Sequence, residues 1–162
     1  MNLLRAAFLP AATVIAVGLS SASAFAQAPA TATCQAVNEQ QVAALFDRWN
    51  ASLATLDADK VVANYASDGV LLATVSDKPR TNPAEIHDYF VKFLKSTPQG
   101  KIDSRIVKIG CNIAQDVGTY TFTLKGGKKV HARYTYVYEF QNGNWLIAHH
   151  HSSAMPEGGA SK

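Results

Sequence analysis

The sequence has few charged residues and lacks the common motifs of catalysis. Only 17% of its 162 residues are charged, and no basic run is longer than Lys128-Lys129. A nucleic-acid-binding face needs a denser basic cluster, so we expect no nucleic-acid partner. The chain contains neither the G-x-G-x-x-G dinucleotide fingerprint nor the G-x-S-x-G nucleophile elbow. We therefore expect no cofactor and no serine-hydrolase triad, although Ser152 and Ser153 follow a row of histidines.

The apolar stretch near the start of the chain is too short to span a membrane. It covers about residues 6 to 19, follows a lone Arg5 and contains Pro10, whereas a spanning helix needs about 20 apolar residues. The segment ends in the small-residue pattern Ala24-Phe25-Ala26, and this order is typical of a secretory signal peptide. We predict cleavage after Ala26, export to the periplasm or beyond, and no membrane partner after cleavage.

Cysteine is scarce, since Cys34 and Cys111 are the only two. No C-x-x-C pair or cysteine-histidine cluster is present, which disfavours redox catalysis and structural zinc. Both cysteines follow the leader and would reach an oxidising compartment. We therefore expect a Cys34–Cys111 disulfide.

The rest of the chain predicts one α+β domain. Apolar residues spaced for one helical face follow Asn38, Asp57 can cap a short second helix, and Asn82-Pro83 can begin a third. From Lys101 onward the apolar period changes to two, which indicates antiparallel strands with the helices covering one face. The expected divisions are a signal peptide (1–26), a linker with Cys34 (27–37), a folded domain (38–156) and a flexible tail (157–162).

The motif Asn142-Gly143 lies between two alternating apolar runs, which is the strongest short-range signal for a two-residue hairpin turn. An unbroken ladder from this turn pairs Tyr136 with His149 and Tyr134 with His151. These side chains would share the core face of the sheet.

A second hairpin is predicted at Lys125-Gly126-Gly127-Lys128. A three-residue loop there pairs Tyr120 with Tyr134, whereas a strict two-residue turn would expose the aromatic row. The apolar pattern favours the three-residue loop.

Residues 149–151 are three consecutive histidines. Adjacent strand residues point to opposite faces, so only His149 and His151 can act together. Their pattern fits a metal-binding pair, but it lacks an obvious carboxylate as third ligand, and we predict no metal site. Two other interpretations stay open: core histidines bonded to tyrosine hydroxyls, or the wall of a ligand pocket where the helices do not cover the bent sheet.

Three segments carry a family resemblance: WNASLATLDADKVVANYASDGVLLATVS, IGCNIAQDVGTYTF and ARYTYVYEFQNGNWLIAHHHSSAMPE. They resemble bacterial exported relatives of the calcium/calmodulin-dependent protein kinase II association domain, within the nuclear-transport-factor-2-like superfamily that also holds the SnoaL-like proteins. The resemblance covers about Val37 to Pro156. It implies a cone-shaped bent sheet wrapped around three helices, an internal pocket, and a homo-oligomer that is at least a dimer through the outer sheet face.

The resemblance also bears on activity. In the kinase this domain oligomerises and has no kinase activity, so we expect none here. The arginines that hold carboxylates in the kinase pocket fall near Tyr120, Tyr136 and Ser152, whereas His87 matches a pocket histidine. An uncharged or phenolic ligand therefore fits this chain better than a carboxylate.

Two functional hypotheses follow from these observations. The first is an exported oligomerising domain that binds a small organic ligand without chemistry of its own. The second is a SnoaL-like enzyme in which His149 or His151 acts as general base. The predicted pocket residues are Trp49, Tyr65, His87, Tyr120, Tyr134, Tyr136, His149 and His151.

Overall fold

The structure, a computed structural model, describes residues 33–156. The helices are α1 (Glu39–Ala54), α2 (Ala58–Val62) and α3 (Pro83–Phe93), and the strands are β1 (Tyr65–Leu72), β2 (Gln99–Gly110), β3 (Ile113–Thr123), β4 (Lys129–Gln141) and β5 (Asn144–Ala154). The predicted α+β class is confirmed. The predicted signal peptide, most of the linker and the tail lie outside the described residues.

The helices begin at the residues that the sequence indicated. The Asn38 side chain accepts a hydrogen bond from the Gln41 amide, and the Gln41 side chain accepts one from the Asn38 amide, which forms a capping box on α1. Asp57 caps α2, and the Asn82 side chain accepts from the amide of Glu85 in the first turn of α3. These bonds satisfy amides that have no partner within the helix.

The five strands form one sheet in the order β1-β5-β4-β3-β2. All neighbouring strands are antiparallel except β1 and β5, which are parallel. Apolar side chains of the helices pack on the inner face of this sheet. The largest fully buried side chains are Trp49, Tyr120, Tyr136, Tyr138, Phe46 and Phe90.

The predicted turn between β4 and β5 is confirmed. Asn142 and Gly143 have φ values of 51° and 81°, in the left-handed region that a tight hairpin turn of this kind requires. Beyond the turn, Tyr138 faces Ile147, as the unbroken ladder predicts.

The ladder then breaks at Ala148. Val137 pairs with His149 instead of with Ala148, so β5 carries one extra residue in a β-bulge. Because side chains alternate with a period of two, one inserted residue exchanges the faces of everything that follows. The predicted pairing of Tyr136 with His149 is therefore wrong, and Tyr136 faces His150.

The same bulge also shifts the strand pairing near the end of β5. Tyr134 faces Ser152, so its predicted pairing with His151 is also wrong. His149 and His151 are exposed on the outer face, while His150 and Ser152 are buried.

The register of the β3–β4 hairpin differs from the predicted register by two residues. Tyr120 faces Ala132 rather than Tyr134, because the connection between Thr123 and Lys129 is longer than three residues. A shift of two preserves the face, so Tyr120 still contacts Tyr134, with ring centroids 5.0 Å apart.

The predicted disulfide is present between Cys34 and Cys111. It joins the segment before α1 to the turn between β2 and β3. The Gln35 amide also donates to Oδ1 of Asn112 at 2.7 Å, next to the disulfide. Within residues 33–156, no helix has the length and apolarity needed to cross a membrane.

Candidate ligand-binding cavity

A cavity of about 230 Å³ lies between the helices and the inner face of the sheet. Its wall is mainly apolar, and the β1–α3 connection and the β3–β4 loop form its rim. The apolar wall residues include Trp49, Leu71, Phe90, Phe93, Phe122, Leu124 and Val130. Side chains with polar groups also line it: Thr74, Tyr89, Tyr120, Lys128, His150 and Ser152. An apolar enclosure with a few polar groups is the usual form of a small-molecule site.

The β-bulge brings His150 to this cavity. Its imidazole stacks on the Tyr136 ring with centroids 4.1 Å apart, and its Nδ1 lies 2.8 Å from the hydroxyl oxygen of Tyr65. Trp49 meets the imidazole edge to face at 5.3 Å. The side chain is 4% exposed, and its Nε2 has no hydrogen-bond partner among the described residues.

His150 is held in its neutral form. Burial, together with the neighbouring His149 and His151, lowers the pKa of His150 to about 3. A neutral imidazole carries one N–H donor and one acceptor nitrogen. Nδ1 faces Tyr65, and Nε2 has no partner among the described residues.

Three hydroxyl groups form a second polar element of the wall. The Tyr120 hydroxyl donates to Ser152 Oγ at 2.6 Å, and Ser152 Oγ also forms a short hydrogen bond with Thr74 Oγ1. Ser152 lies two residues after His150 on the same side of β5. His150 and the three hydroxyl groups therefore form one polar region of the wall.

The structure places only part of the predicted pocket around this cavity. Trp49 and Tyr120 line it. Tyr65, Tyr134 and Tyr136 are buried beside it, without lining it. Tyr65 and Tyr136 contact His150 instead.

The predicted placement of His87, His149 and His151 in the pocket is wrong. His149 and His151 lie on the outer face because of the bulge. His87 lies on the α3 surface, with Nε2 3.4 Å from Oδ1 of Asp59 on α2. Contact between α2 and α3 turns this side chain away from the sheet.

Sequence reasoning missed His150 and Ser152. The alternation that assigned them to the outer face is correct up to Ile147 and fails at Ala148. The backbone around the bulge contacts β1 and the segment before it, since the Ile147 amide donates to the Asn64 carbonyl at 2.8 Å. The three histidines and their neighbours carry no sequence signal for this contact, because Asn64 lies far from Ile147 in the sequence.

A separate polar cluster is buried on the inner face of β3. The carboxylate of Asp116 is fully buried, and Arg105 Nε lies 3.0 and 3.1 Å from its two oxygens. The Tyr134 hydroxyl donates to Asp116 at 2.8 Å. These groups compensate one another and do not line the cavity, which indicates a structural ion pair.

Comparisons with known proteins agree with this architecture. Residues 38–156 match the profile of the family described as calcium/calmodulin dependent protein kinase II association domain. A crystal structure from Xanthomonas campestris, named as a candidate member of the same family, is 50% identical with a TM-score of 0.70 and covers 78% of this chain and 98% of its own. A comparison with curated proteins finds no match.

More distant structures share the fold. A nuclear-transport-factor-2-like protein of unknown function from Pseudomonas putida is 18% identical, with a TM-score of 0.65 and coverage of 76% of this chain and 91% of its own. A candidate dehydratase of the same fold family from Streptomyces avermitilis is 13% identical, with a TM-score of 0.64 and coverage of 72% and 94%.

Proposed function

Because the chain belongs to the calcium/calmodulin dependent protein kinase II association domain family, we propose that it is an exported, oligomerising domain that binds a small organic molecule and has no kinase activity of its own. The observation that carries the binding function is the apolar cavity with a buried, half-satisfied His150 in its wall. An unpaired buried nitrogen costs free energy in the empty protein, and a ligand that bonds to it recovers part of that cost.

The wall indicates a compact ligand with an aromatic or otherwise apolar body. Phe90, Phe93 and Phe122 supply flat apolar surfaces, and the Trp49 indole lines the same cavity. Burial of apolar ligand surface against these rings is the main source of affinity.

A cavity-filling substitution tests this function. The Ala73→Phe variant adds a ring at a lining position that is 8% exposed, so we expect it to reduce the affinity for indole at least tenfold. Chemical-shift titration of the Trp49 Nε1–H resonance measures the affinity, with Trp145 as an internal reference outside the cavity.

The matched control is Ala51→Phe, the same change on the exposed side of α1, which should leave the affinity unchanged. Failure of indole and of a wider set of small aromatic molecules to move the Trp49 resonance would contradict the binding function. Native mass spectrometry of the gently purified mature chain supplies a second test, since a natural ligand would appear as an added mass.

Export is supported by the disulfide and by the leader-like segment of the sequence. Disulfides persist mainly in oxidising compartments such as the periplasm.

Oligomerisation is proposed through the outer face of the sheet. On β2 the Ile106 side chain is 61% exposed and faces Val117 on β3, whose outer neighbour is Thr135 on β4. An exposed isoleucine beside a partly exposed valine on the outer face of a sheet is suited to an isologous contact with a second copy.

We expect the mature protein to be at least a dimer and Ile106→Glu to weaken the dimer more than tenfold, because a two-fold interface would bury the new carboxylate twice. Light scattering over a concentration series measures this. Val91→Glu places the same charge on the exposed side of α3 and should leave the oligomer intact. A monomer at high micromolar concentration would argue against this interface.

An enzymatic role is the second candidate, and the observation that favours it is the position of His150 against the cavity. His149 and His151 cannot act as bases there, because they lie on the other face. A pKa of about 3 for His150 makes it a weak base at neutral pH, since general bases work best with a pKa near the working pH. The geometry therefore supports binding better than proton abstraction.

A further inference from the structure

The polar groups of the cavity can be assigned as donors or acceptors from the hydrogen bonds around them. The Tyr65 hydroxyl is buried, and its only described acceptor is Nδ1 of His150 at 2.8 Å. Either direction leaves one proton in the core without a described acceptor, on Tyr65 or on Nε2 of His150, so the stronger bond decides. A phenol O–H is a better donor than an imidazole N–H, and an imidazole nitrogen is a better acceptor than a phenol oxygen. We therefore assign Tyr65 as the donor, which puts the imidazole proton on Nε2.

The hydroxyl chain has one proton more than its hydrogen bonds use. Tyr120, Ser152 and Thr74 carry three hydroxyl protons and form two bonds with one another. The remaining proton is on Ser152 or on Thr74, and both residues line the cavity. It has no described acceptor, so it is available as a second donor.

From this arrangement we propose that the cavity selects a neutral molecule with an apolar, planar body and a carbonyl oxygen, which accepts hydrogen bonds from His150 Nε2–H and from the Ser152–Thr74 hydroxyl pair. This proposal rests on the proposed binding function and specifies its ligand class. A purely apolar ligand would leave both donors unpaired. A carboxylate bonded to these buried groups would be costly, because Lys128, the cation among the described lining residues, is an exposed side chain of the β3–β4 loop.

Acetophenone and α-methylstyrene are suitable probes, because they differ mainly in a carbonyl oxygen replaced by a methylene group. We expect acetophenone to bind at least about fivefold more tightly than α-methylstyrene, the ratio that one neutral hydrogen bond typically gives. Benzoate, the charged analogue, should bind more weakly than acetophenone. Protein-observed NMR titration on the mature chain gives all three affinities.

Variants identify the donor. His150→Phe combined with Tyr65→Phe removes the N–H and its partner together, and should abolish the preference for acetophenone while α-methylstyrene still binds. His149→Phe changes an exposed imidazole on the outer face and should keep the preference. The imidazole ¹⁵N shifts of the unmutated protein test the tautomer without any variant, and we expect the proton on Nε2.

The outcomes separate the two proposals. Equal affinities for acetophenone and α-methylstyrene, tighter binding of benzoate, or a proton on Nδ1 would overturn the donor assignment while small-molecule binding stands. Absence of binding by all three probes and by indole would overturn both.

Discussion

Replacement of Cys34 and Cys111 by serine is expected to lower the free energy of unfolding by about 4 kcal/mol, the chain-entropy value for a bridge that closes a loop of this length. The two residues are 77 positions apart, so the disulfide excludes many open conformations of the unfolded chain. Urea denaturation of the mature protein, compared with the double variant, measures the difference. The slope of the transition should also rise, because the unbridged chain exposes more surface when it unfolds.

The hydrogen bonds beside the disulfide provide the control. Asn112 has a φ of 57° and accepts from the Gln35 amide, so Asn112→Gly keeps the backbone conformation and removes only the side-chain bonds. These bonds are exposed, and their loss should cost about 1 kcal/mol or less. A double serine variant as stable as the bridged protein would contradict the chain-entropy explanation.

The cavity should survive removal of the disulfide. Cys111 precedes β3, whereas Phe122 in the cavity wall lies near the other end of that strand. At about 3.3 Å per residue, the distance between the two is roughly 30 Å or more along the strand. We therefore expect the probe affinities of the double variant to be unchanged under conditions in which it is folded.

Features set by short-range chemistry were predictable from the sequence. Asn38 and Asn82 begin helices because the side chain of each accepts from the amide three residues ahead. Asn142-Gly143 turns the chain because both residues tolerate positive φ. Each signal lies within a few residues of its effect. The disulfide was predictable for a simpler reason, since the chain has only two cysteines.

The site was not predictable, because it depends on a single inserted residue in a strand. When faces are assigned by alternation along a strand, one inserted residue makes the assignment of every later residue wrong. The bulge at Ala148 therefore places His150 on the inner face and His149 and His151 on the outer face, the reverse of the prediction. In the β3–β4 hairpin, the register error was two residues and the faces survived. The same method thus located Tyr120 correctly and misplaced His149 and His151.

Acid is expected to destabilise the protein through His150. Its pKa is lowered by burial to about 3 in the folded protein, against about 6.5 in the unfolded chain. Between these values the unfolded chain binds more protons, so stability is complete above about pH 6.5 and falls as the pH decreases toward 3. At 1.36 kcal/mol per pKa unit, the loss between pH 7 and pH 3 is about 4 kcal/mol.

The double variant Tyr65→Phe/His150→Phe isolates this contribution. It removes the titrating group and its hydroxyl partner together, so the stability of the variant should depend much less on pH between 6.5 and 3. Other groups also lose stabilisation in acid, such as Glu85, whose pKa is lowered by its hydrogen bond with Lys78. The free energy of unfolding is therefore measured by urea denaturation at each pH for both proteins, and the difference between them is compared. If this difference does not change with pH, His150 is not the acid-sensitive group.

A bound ligand should add the same stability at neutral pH and in mild acid. A ligand that accepts a hydrogen bond from His150 Nε2–H binds the folded protein and adds a stabilisation that depends on its concentration. Because the pKa of His150 is about 3 in the folded protein, the imidazole stays neutral at pH 5 and keeps the same donor and acceptor nitrogens. We therefore expect saturating acetophenone to raise the free energy of unfolding by about the same amount at pH 7 and at pH 5, as measured by urea denaturation. A ligand effect that disappears at pH 5 would contradict a neutral His150 in the folded protein.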